Sequence, residues 1–475
     1  MKSETEYKGK WWLPGKSRKK IDGTFIINPN GFGTLELNGQ LSEPIIREGE
    51  FPRYENKEII LGVSSSGSKI TLINCQVQNT SSSENGFPTQ TFEVNTMFVN
   101  LHAKTMANAK FKLIRVYFQH LENLVKNSSI QTVQNQKTKQ LTVKIIKPKP
   151  IFLYTYDGFD IKIHPTNRFS GSGLPTRTIE VKEISFISIE SKKKERQYED
   201  YLKIISKIQT LLTLCLQKST YPIELSGESS SSILIVAEGN NSPIYDPIKI
   251  ITHWNDLIEP TNSEYIFPDK MVFTFDSIQK KKKTIMKGWF KKSEEYNTIF
   301  ELYFATMFNS KMYLNHIYLT LAQCIESYHR KSPRYPDYHI DPEEHARRVM
   351  IIQKTLKEHS SLTESQIKSN IKFLSSRNIP SFENRIDAIL KTYPSIAPII
   401  KGPEKHFAKT IADNRNHLTH LDPKPGMTYA TFEELYYLSL RMRLLLLTII
   451  LDEIGFPQEE NKVIVGRIRR GFRLP

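Results

Sequence analysis

One short segment near the end of the chain carries side chains that could move protons and bind phosphate. Residues 413–420 read DNRNHLTH and place Arg415, His417 and His420 within one and a half helical turns. Metal-free RNA cleavage needs a base for the attacking 2′-OH, an acid for the leaving 5′-oxygen and a cation for the phosphate. Histidine titrates near neutral pH, and arginine matches phosphate oxygens, so these residue types suit that chemistry.

The spacing of Arg415 and His420 is not informative by itself. With 20 arginines and 12 histidines in 475 residues, about half of one Arg-x4-His pair is expected by chance, and the chain has three. Arg334–His339 contains Pro336 and is typical of a loop, while Arg115–His120 lies in an apolar stretch typical of a structural segment. Only Arg415–His420 has Asn416 directly after the arginine. A solvent-exposed helix end capped by histidine is the open alternative.

The elements that precede this segment change character along the chain. Residues 1 to about 185 contain short segments rich in β-branched and aromatic residues, separated by turn-forming clusters at 28–31, 64–68 and 81–86. This pattern predicts a sandwich or a curled antiparallel sheet. Apolar residues then recur at helical spacing between 195 and 216, which predicts one helix.

Nearly all of the chain after Lys280 has helical periodicity. We expect one long helix over 294–330, a helix that Asp341 caps ahead of a proline, and a helix over 406–420 that ends before Pro423. Thr431 opens a capping box before a strongly apolar helix. Five to seven helices are expected in total. The fold class is therefore α+β, a β-rich N-terminal region before an all-α bundle, with predicted divisions at 1–190, 191–290 (mixed continuation or linker) and 291–475.

Composition narrows the class of protein. The formal net charge of +16 is compatible with a nucleic-acid partner and equally with a merely solvated lysine-rich surface. No apolar leader and no apolar run of about 20 residues is present, so we expect a cytoplasmic protein without a membrane partner. Three dispersed cysteines and the histidines fit no metal-ligand spacing, so no metal or cofactor is expected. The histidines considered for this are His102, His120, His164 and His253.

The segment at 415–420 matches the RNxxxH signature of HEPN domains, helical bundles that include metal-independent endoribonucleases. Residues 8–15 (KGKWWLPG), 21–24 (IDGT) and 35–39 (LELNG) resemble the opening of the ApeA N-terminal domain, which its family pairs with a C-terminal HEPN domain. Residues 319–330 resemble an early helix of that bundle, with an isoleucine-glutamate pair where leucine-glutamate is usual. The chain is thereby similar to the ApeA family at both ends.

This resemblance implies a function. ApeA-like proteins resemble bacterial antiphage factors of the abortive-infection kind, whose HEPN nuclease cuts host RNA, tRNA above all, after a phage-encoded trigger. The resemblance implies a homodimer, or a higher even-numbered oligomer, in which two RNxxxH helices form one composite site. Arg415 would stabilise the scissile phosphate, His420 would act as base or acid, and Asn416 would hold the helix end or the partner's backbone. The products would be a 2′,3′-cyclic phosphate and a 5′-OH.

The weaker candidates for the site are Glu326, His417 and Arg330. His417 lies on a different helical face from Arg415, and simple exposure is an equal alternative. Glu326, His329 and Arg330 share one neighbourhood of a helix. Glu326 is interpreted as an acid that orients Arg415 or His420, chiefly on the resemblance, and the alternative is a surface ion pair between Glu326 and Arg330.

Other features favour ordinary structural explanations. Trp11 and Trp12 are more typical of a packed core than of a ligand-stacking surface. The lysine runs at 192–194 and 280–283 are usually solvated, although RNA contact stays open for both. The alternative to an enzyme is a non-catalytic scaffold that binds RNA or a ligand and dimerises through its helical bundle.

Overall fold

The structure is a computed structural model that describes residues 5–27, 33–42, 45, 54–81, 87–125, 129–170, 180–236, 243–252, 266–309, 311–420 and 429–474. The chain forms two compact units. The β-rich unit comprises Met1–Pro268 and Phe273–Lys283, and the helical unit comprises Asp269–Val272 and Thr284–Pro475. The predicted turn at 28–31, most of the turn at 81–86, His253 and Pro423 lie outside the described residues.

The β-rich unit contains eighteen strands and one long helix in its described part. The strands are β1 (Thr5–Trp12), β2 (Ile21–Ile27), β3 (Gly33–Leu37), β4 (Lys57–Ser64), β5 (Lys69–Ser81), β6 (Thr89–Val99), β7 (Lys110–Phe111), β8 (Leu113–Phe118), β9 (Ile130–Gln134), β10 (Leu141–Ile145), β11 (Ile151–Tyr156), β12 (Phe159–Ser170), β13 (Glu180–Ser191), β14 (Arg196–Gln197), β15 (Pro222–Glu228), β16 (Ile233–Val236), β17 (Pro243–Tyr245) and β18 (Ile248–Thr252). Helix α1 spans Tyr198–Leu216 and follows β14.

Six of the strands close into a barrel. Their order is β6-β3-β2-β1-β4-β5, and β5 pairs with β6 again, so the ring has no free edge. From β6 the sheet continues through β18, β15, β8, β13, β12 and β11, with antiparallel pairing throughout. Strands β15 and β18, which come from the predicted region 191–290, therefore hydrogen-bond into the same sheet as the N-terminal strands. The functional division at 190 and 290 stays a prediction.

The two adjacent tryptophans lie on opposite faces of β1, as the alternation of a strand requires. Trp11 is fully buried in the barrel core, and its indole Nε1 donates to the carbonyl oxygen of Gly23 at 3.1 Å. Trp12 is buried in a separate cluster with Ile59 and Leu61. Both rings therefore pack, as the core interpretation predicts.

Helix α1 has the apolar face that its periodicity predicts. Every predicted face residue is buried, and the Tyr201 hydroxyl donates to the carbonyl oxygen of Phe111 at 2.7 Å. The ring of Tyr201 also contacts Phe159 edge to face, with 4.8 Å between ring centroids. Burial of this face stabilises α1 where propensity alone is weak. The face residues are Tyr201, Ile204, Ile205, Ile208, Leu211 and Leu212.

Ten helices form the described part of the C-terminal region, more than the five to seven expected. They are α2 (Lys282–Glu295), α3 (Asn297–Phe308), α4 (Leu314–Lys331), α5 (Pro342–His359), α6 (Glu364–Ser375), α7 (Phe382–Thr392), α8 (Ala397–Lys401), α9 (Phe407–His420), α10 (Phe432–Glu453) and α11 (Gln458–Gly471).

The prediction of a single helix over 294–330 is wrong, because three helices occupy this region. Helix α2 ends at Glu295, α3 ends at Phe308 and α4 begins at Leu314. At the second break the Asn309 side chain accepts a hydrogen bond from the backbone N–H of Lys311 at 3.2 Å. Asparagine favours such local turns over a continuing helix. Apolar periodicity runs through the break because both flanking helices contribute to one core, so the pattern concealed it.

The helix starts predicted at Asp341 and Thr431 agree with the structure. The Asp341 side chain accepts from the backbone N–H groups of Glu343 and Glu344, and Thr431 forms the complete capping box with Glu434. Helix α10 is buried nearly all round, which is typical of a central helix. The helical unit is therefore arranged around α10, with α4 packed against it.

Replacement of Gly62 should destabilise the barrel. Gly62 lies opposite Trp11 in the β1–β4 register, and a methyl group there would overlap the indole ring. We expect Gly62→Ala to lower the free energy of unfolding by about 1–3 kcal/mol, measured by urea unfolding. Gly471→Ala is the control, because an added methyl group meets no atom there. Equal stability of the two variants would contradict this packing.

Candidate active site

The helix that carries the predicted site is α9. It buries Phe407, Ala408, Ile411 and Ala412, whereas its last turn reaches the surface. The hydroxyl of Tyr318 in α4 donates to the carbonyl oxygen of Ile411 at 3.0 Å. Because Ile411 lies one turn before Arg415, this contact anchors α9 beside α4 directly behind the candidate residues.

Arg415 projects from α9 toward α4. Its Nη2 donates to Oε2 of Glu326 at 3.0 Å, and its Nη1 donates to Oδ1 of Asn416 at 3.1 Å. The side chain of Arg415 is 32% exposed and that of Glu326 is 21% exposed. The guanidinium is thus oriented by two acceptors while part of it reaches solvent.

Glu326 binds two arginines at once. Its Oε1 accepts from Nη2 of Arg330 at 2.8 Å, one turn along α4, while Oε2 accepts from Arg415. Glu326 therefore makes both contacts that were considered for it, the surface pair with Arg330 and the pair with Arg415, and its role in a catalytic site stays a prediction. One carboxylate pairs with two guanidinium groups, so this cluster of three side chains carries a net positive charge.

An aromatic ring completes the surroundings of Arg415. The guanidinium carbon lies 5.6 Å from the ring centroid of Phe382, the first residue of α7. This distance is within the range of a cation–π interaction. Sequence reasoning missed Phe382, because nothing in its local pattern links it to residue 415.

The two histidines lie outside this network of described residues. The ring of His417 stacks on Tyr429, with 3.8 Å between centroids and 13° between planes, so simple exposure does not describe it. His420 is exposed at the last position of α9. Residues five apart on a helix differ by roughly 140° in direction, so Arg415 and His420 of one chain point to different faces.

Asn414 is a second residue that sequence reasoning passed over. It is buried, its Nδ2 donates to the carbonyl oxygen of Thr410 at 2.8 Å, and its Oδ1 accepts from the backbone N–H of Ala430 at 2.9 Å. It thereby joins the last turns of α9 to the approach to α10. Its place within DNRNHLTH was the available signal, although asparagine is common at helix ends.

A buried hydrogen bond lies behind the surface network. His329 is 2% exposed and Arg385 is 1% exposed, and Nη1 of Arg385 lies 2.8 Å from Nδ1 of His329. Arginine cannot give up its proton, so it is the donor and Nδ1 is the acceptor. Arg385 also donates through Nε to the carbonyl oxygen of Pro380 at 3.1 Å. His329 therefore turns inward to α7, away from the neighbourhood that it shares with Glu326 in the sequence.

This environment disfavours the charged form of His329. Burial, and next the neighbouring Arg385 guanidinium, lower the pKa of His329 to about 4. The ring also stacks on Tyr335, with 4.6 Å between centroids. A neutral His329 is thus part of the α4–α7 contact.

No group of three histidine, cysteine, aspartate or glutamate side chains that could hold a metal ion occurs in the part of the chain that the structure describes. Within the same residues, no helix combines the length and apolar character that a membrane span requires.

The helical bundle with its Arg-Asn-x-x-x-His helix end, following a β-rich unit, defines a HEPN-domain protein. A family model for the Apea-like HEPN domain matches residues 319–460, and a model for the ApeA N-terminal domain 1 matches residues 6–289. The latter covers more than half of the chain, so the chain belongs to the ApeA family. At the family level it is a HEPN nuclease of the antiphage type. Neither the curated proteins nor the solved structures contain a match.

The buried histidine should make stability depend on pH. An unfolded histidine has a pKa near 6.5, so the unfolded chain binds the proton more readily than the folded one between pH 6.5 and 4. We expect the free energy of unfolding to fall by on the order of 3 kcal/mol across this window. Urea unfolding at a series of pH values measures it, and His329→Gln should flatten the dependence. An unchanged slope in that variant would exclude His329 as the cause.

Proposed function

We propose that the protein is a metal-independent endoribonuclease of abortive-infection defence that cleaves host RNA, with tRNA as the favoured substrate. The observation that carries this proposal is the orientation of Arg415 by Glu326 at the solvent-exposed end of α9. A scaffold would not need a guanidinium that is both fixed and accessible to an anion.

Arg415 is proposed to bind the scissile phosphate. The contacts with Glu326 and Asn416 engage two of its five N–H groups. The N–H groups of Arg415 that have no partner among the described residues are proposed to stabilise the charge that develops on the five-coordinate phosphorus. Arg330 is proposed to add a second cation, since it shares Glu326 and is 54% exposed.

His420 is proposed to transfer protons. One imidazole takes the proton of the 2′-OH as O2′ attacks phosphorus, and a second imidazole protonates O5′ as the P–O5′ bond breaks. The products are a 2′,3′-cyclic phosphate and a 5′-OH. Because Arg415 and His420 point to different faces of α9, two copies facing each other could place both residue types on one phosphate. This geometry supports a composite site in a homodimer.

The β-rich unit is proposed to sense infection. All residues proposed here for cleavage lie in the helical unit, so the β-rich unit is available for recognition of a phage-encoded trigger. The proposed RNA substrate is consistent with a cytoplasmic site of action.

Loss of either central residue should abolish cleavage without unfolding the protein. We expect Arg415→Ala and His420→Ala each to lower the rate of RNA cleavage in EDTA by about 100-fold or more, measured with labelled tRNA. His359→Ala is the matched control, since His359 is also an exposed histidine at the end of a helix. Circular dichroism checks that all variants keep the fold.

The outcomes separate the enzyme from the scaffold. Cleavage that stops when EDTA is added contradicts the metal-independent mechanism. Cleavage by both alanine variants at the wild-type rate contradicts the site, and the non-catalytic scaffold then becomes the better explanation of the bundle.

A composite site should also make activity depend on concentration. We expect the rate per chain to fall when the protein is diluted below the dissociation constant of its dimer, because one copy supplies half a site. Cleavage assays in parallel with sedimentation velocity measure this. A demonstrably monomeric sample with unchanged specific activity would show that one copy is sufficient.

A further inference from the structure

A two-stranded ribbon of the β-rich unit is exposed on both faces in the part of the chain that the structure describes. Among the described strands, β9 and β10 pair only with each other, and every residue from Gln131 to Lys147 is exposed. An isolated hairpin is marginally stable in water. We call this hairpin, residues 129–147, the basic ribbon.

The base and the tip of the basic ribbon are both ordered by hydrogen bonds. At the base, the backbone N–H of buried Ser129 donates to Oε1 of Glu183 at 2.7 Å, and Ile146 N donates to the Ser129 carbonyl oxygen at 2.9 Å. At the tip, the Asn135 side chain accepts from the backbone N–H groups of Lys137 and Thr138 at 3.0 and 3.2 Å. The ribbon therefore has a defined conformation that it presents to solvent.

The register separates the two faces of the ribbon. Leu141, Val143 and Ile145 share one face and are 61%, 51% and 40% exposed. Thr142 and Lys144 lie on the other face, together with Val133, which pairs with Thr142 and is also exposed. The three aliphatic side chains Leu141, Val143 and Ile145 form an apolar stripe on an otherwise polar hairpin, and a ligand could cover it.

The charge of this region identifies the kind of partner. Six lysines and no aspartate or glutamate lie between Glu122 and Asp157. A second copy would bring like charges together, which disfavours pairing of two ribbons. The ribbon also carries uncharged hydrogen-bonding side chains of the kind that bind phosphate and base edges. They are Gln131, Thr132, Gln134, Asn135, Gln136, Thr138, Gln140 and Thr142.

We propose that the basic ribbon is an RNA-binding arm that holds the substrate outside the cleavage site. The identification of RNA as the ligand of this arm rests on the proposed function. The RNA passes around the arm, so that Lys137, Lys139, Lys144 and Lys147 contact phosphates while the aliphatic face, which is opposite Lys144, lies against bases or ribose. Two-stranded β-ribbons are an established way to contact a nucleic acid, and release of counterions makes such binding dependent on salt.

Neutralisation of the arm tests this directly. The arm variant carries Lys137→Gln, Lys139→Gln, Lys144→Gln and Lys147→Gln. The control carries Lys16→Gln, Lys19→Gln, Lys104→Gln and Lys218→Gln, which remove the same charge from exposed positions of the same unit. Both sets are made in His420→Ala full-length protein to prevent cleavage. Binding of a labelled single-stranded RNA of about 20 nucleotides is measured between about 50 and 200 mM salt.

We expect the arm variant to lose about 10-fold or more in affinity, and the slope of log K against log salt to decrease in magnitude by about 3, since each phosphate contact contributes about 0.7. The control should change little. Equal loss in both variants overturns the proposal, because it shows a response to net charge alone. Unchanged affinity in the arm variant also overturns it and leaves the aliphatic face as a surface for a protein partner.

The same variants separate this proposal from the proposed function. With His420 intact, we expect the arm variant to raise KM for RNA and to leave kcat nearly unchanged. If the wild-type protein cleaves RNA and the arm variant cleaves it with the same kinetics, the arm proposal is wrong and the nuclease proposal stands. If RNA binding depends on the arm but the protein does not cleave RNA, the nuclease proposal is wrong and the arm proposal stands.

Discussion

The partly buried ion pair between Glu326 and Arg415 determines where the candidate site faces. A pair with this exposure contributes on the order of 1 kcal/mol or less to stability, which is too little to hold two helices together. Packing around Tyr318 and Ile411 does that. The effect of the ion pair is directional: it fixes the guanidinium at the end of α9, and the second pair with Arg330 leaves positive charge to attract an anion.

Helix α7 supports this arrangement from within. The buried bond between His329 and Arg385 joins α4 to α7 one turn from Glu326, and Phe382 at the start of α7 lies over Arg415. A proton on His329 would place a second positive charge beside the buried guanidinium of Arg385. Burial of two like charges is costly, so the contact persists only while His329 stays uncharged. The position of Arg415 thus depends on a polar contact in the interior as well as on its own acceptors.

The fold was predictable where local chemistry decides it. Alternation and turn clusters indicated an antiparallel β-rich region, and caps such as Asp341 and Thr431 marked helix starts correctly. Closure of the barrel was not predictable, because it needs the pairing of β3 with β6, two strands that β4 and β5 separate in the sequence. The break after Phe308 was hidden for a related reason: the flanking helices bury one continuous apolar pattern in one core.

Sequence by itself determined the chemistry available to this protein: a cation and imidazoles on one helix, the family resemblance at both ends of the chain, and an acid-free lysine-rich stretch after Glu122. These depend on residue type and spacing, which are local properties. Tertiary structure alone decided which groups meet. Glu326 and Phe382 contact Arg415, and His329 contacts Arg385, because helices distant in sequence pack together. The same packing leaves the basic ribbon exposed in the described part of the chain.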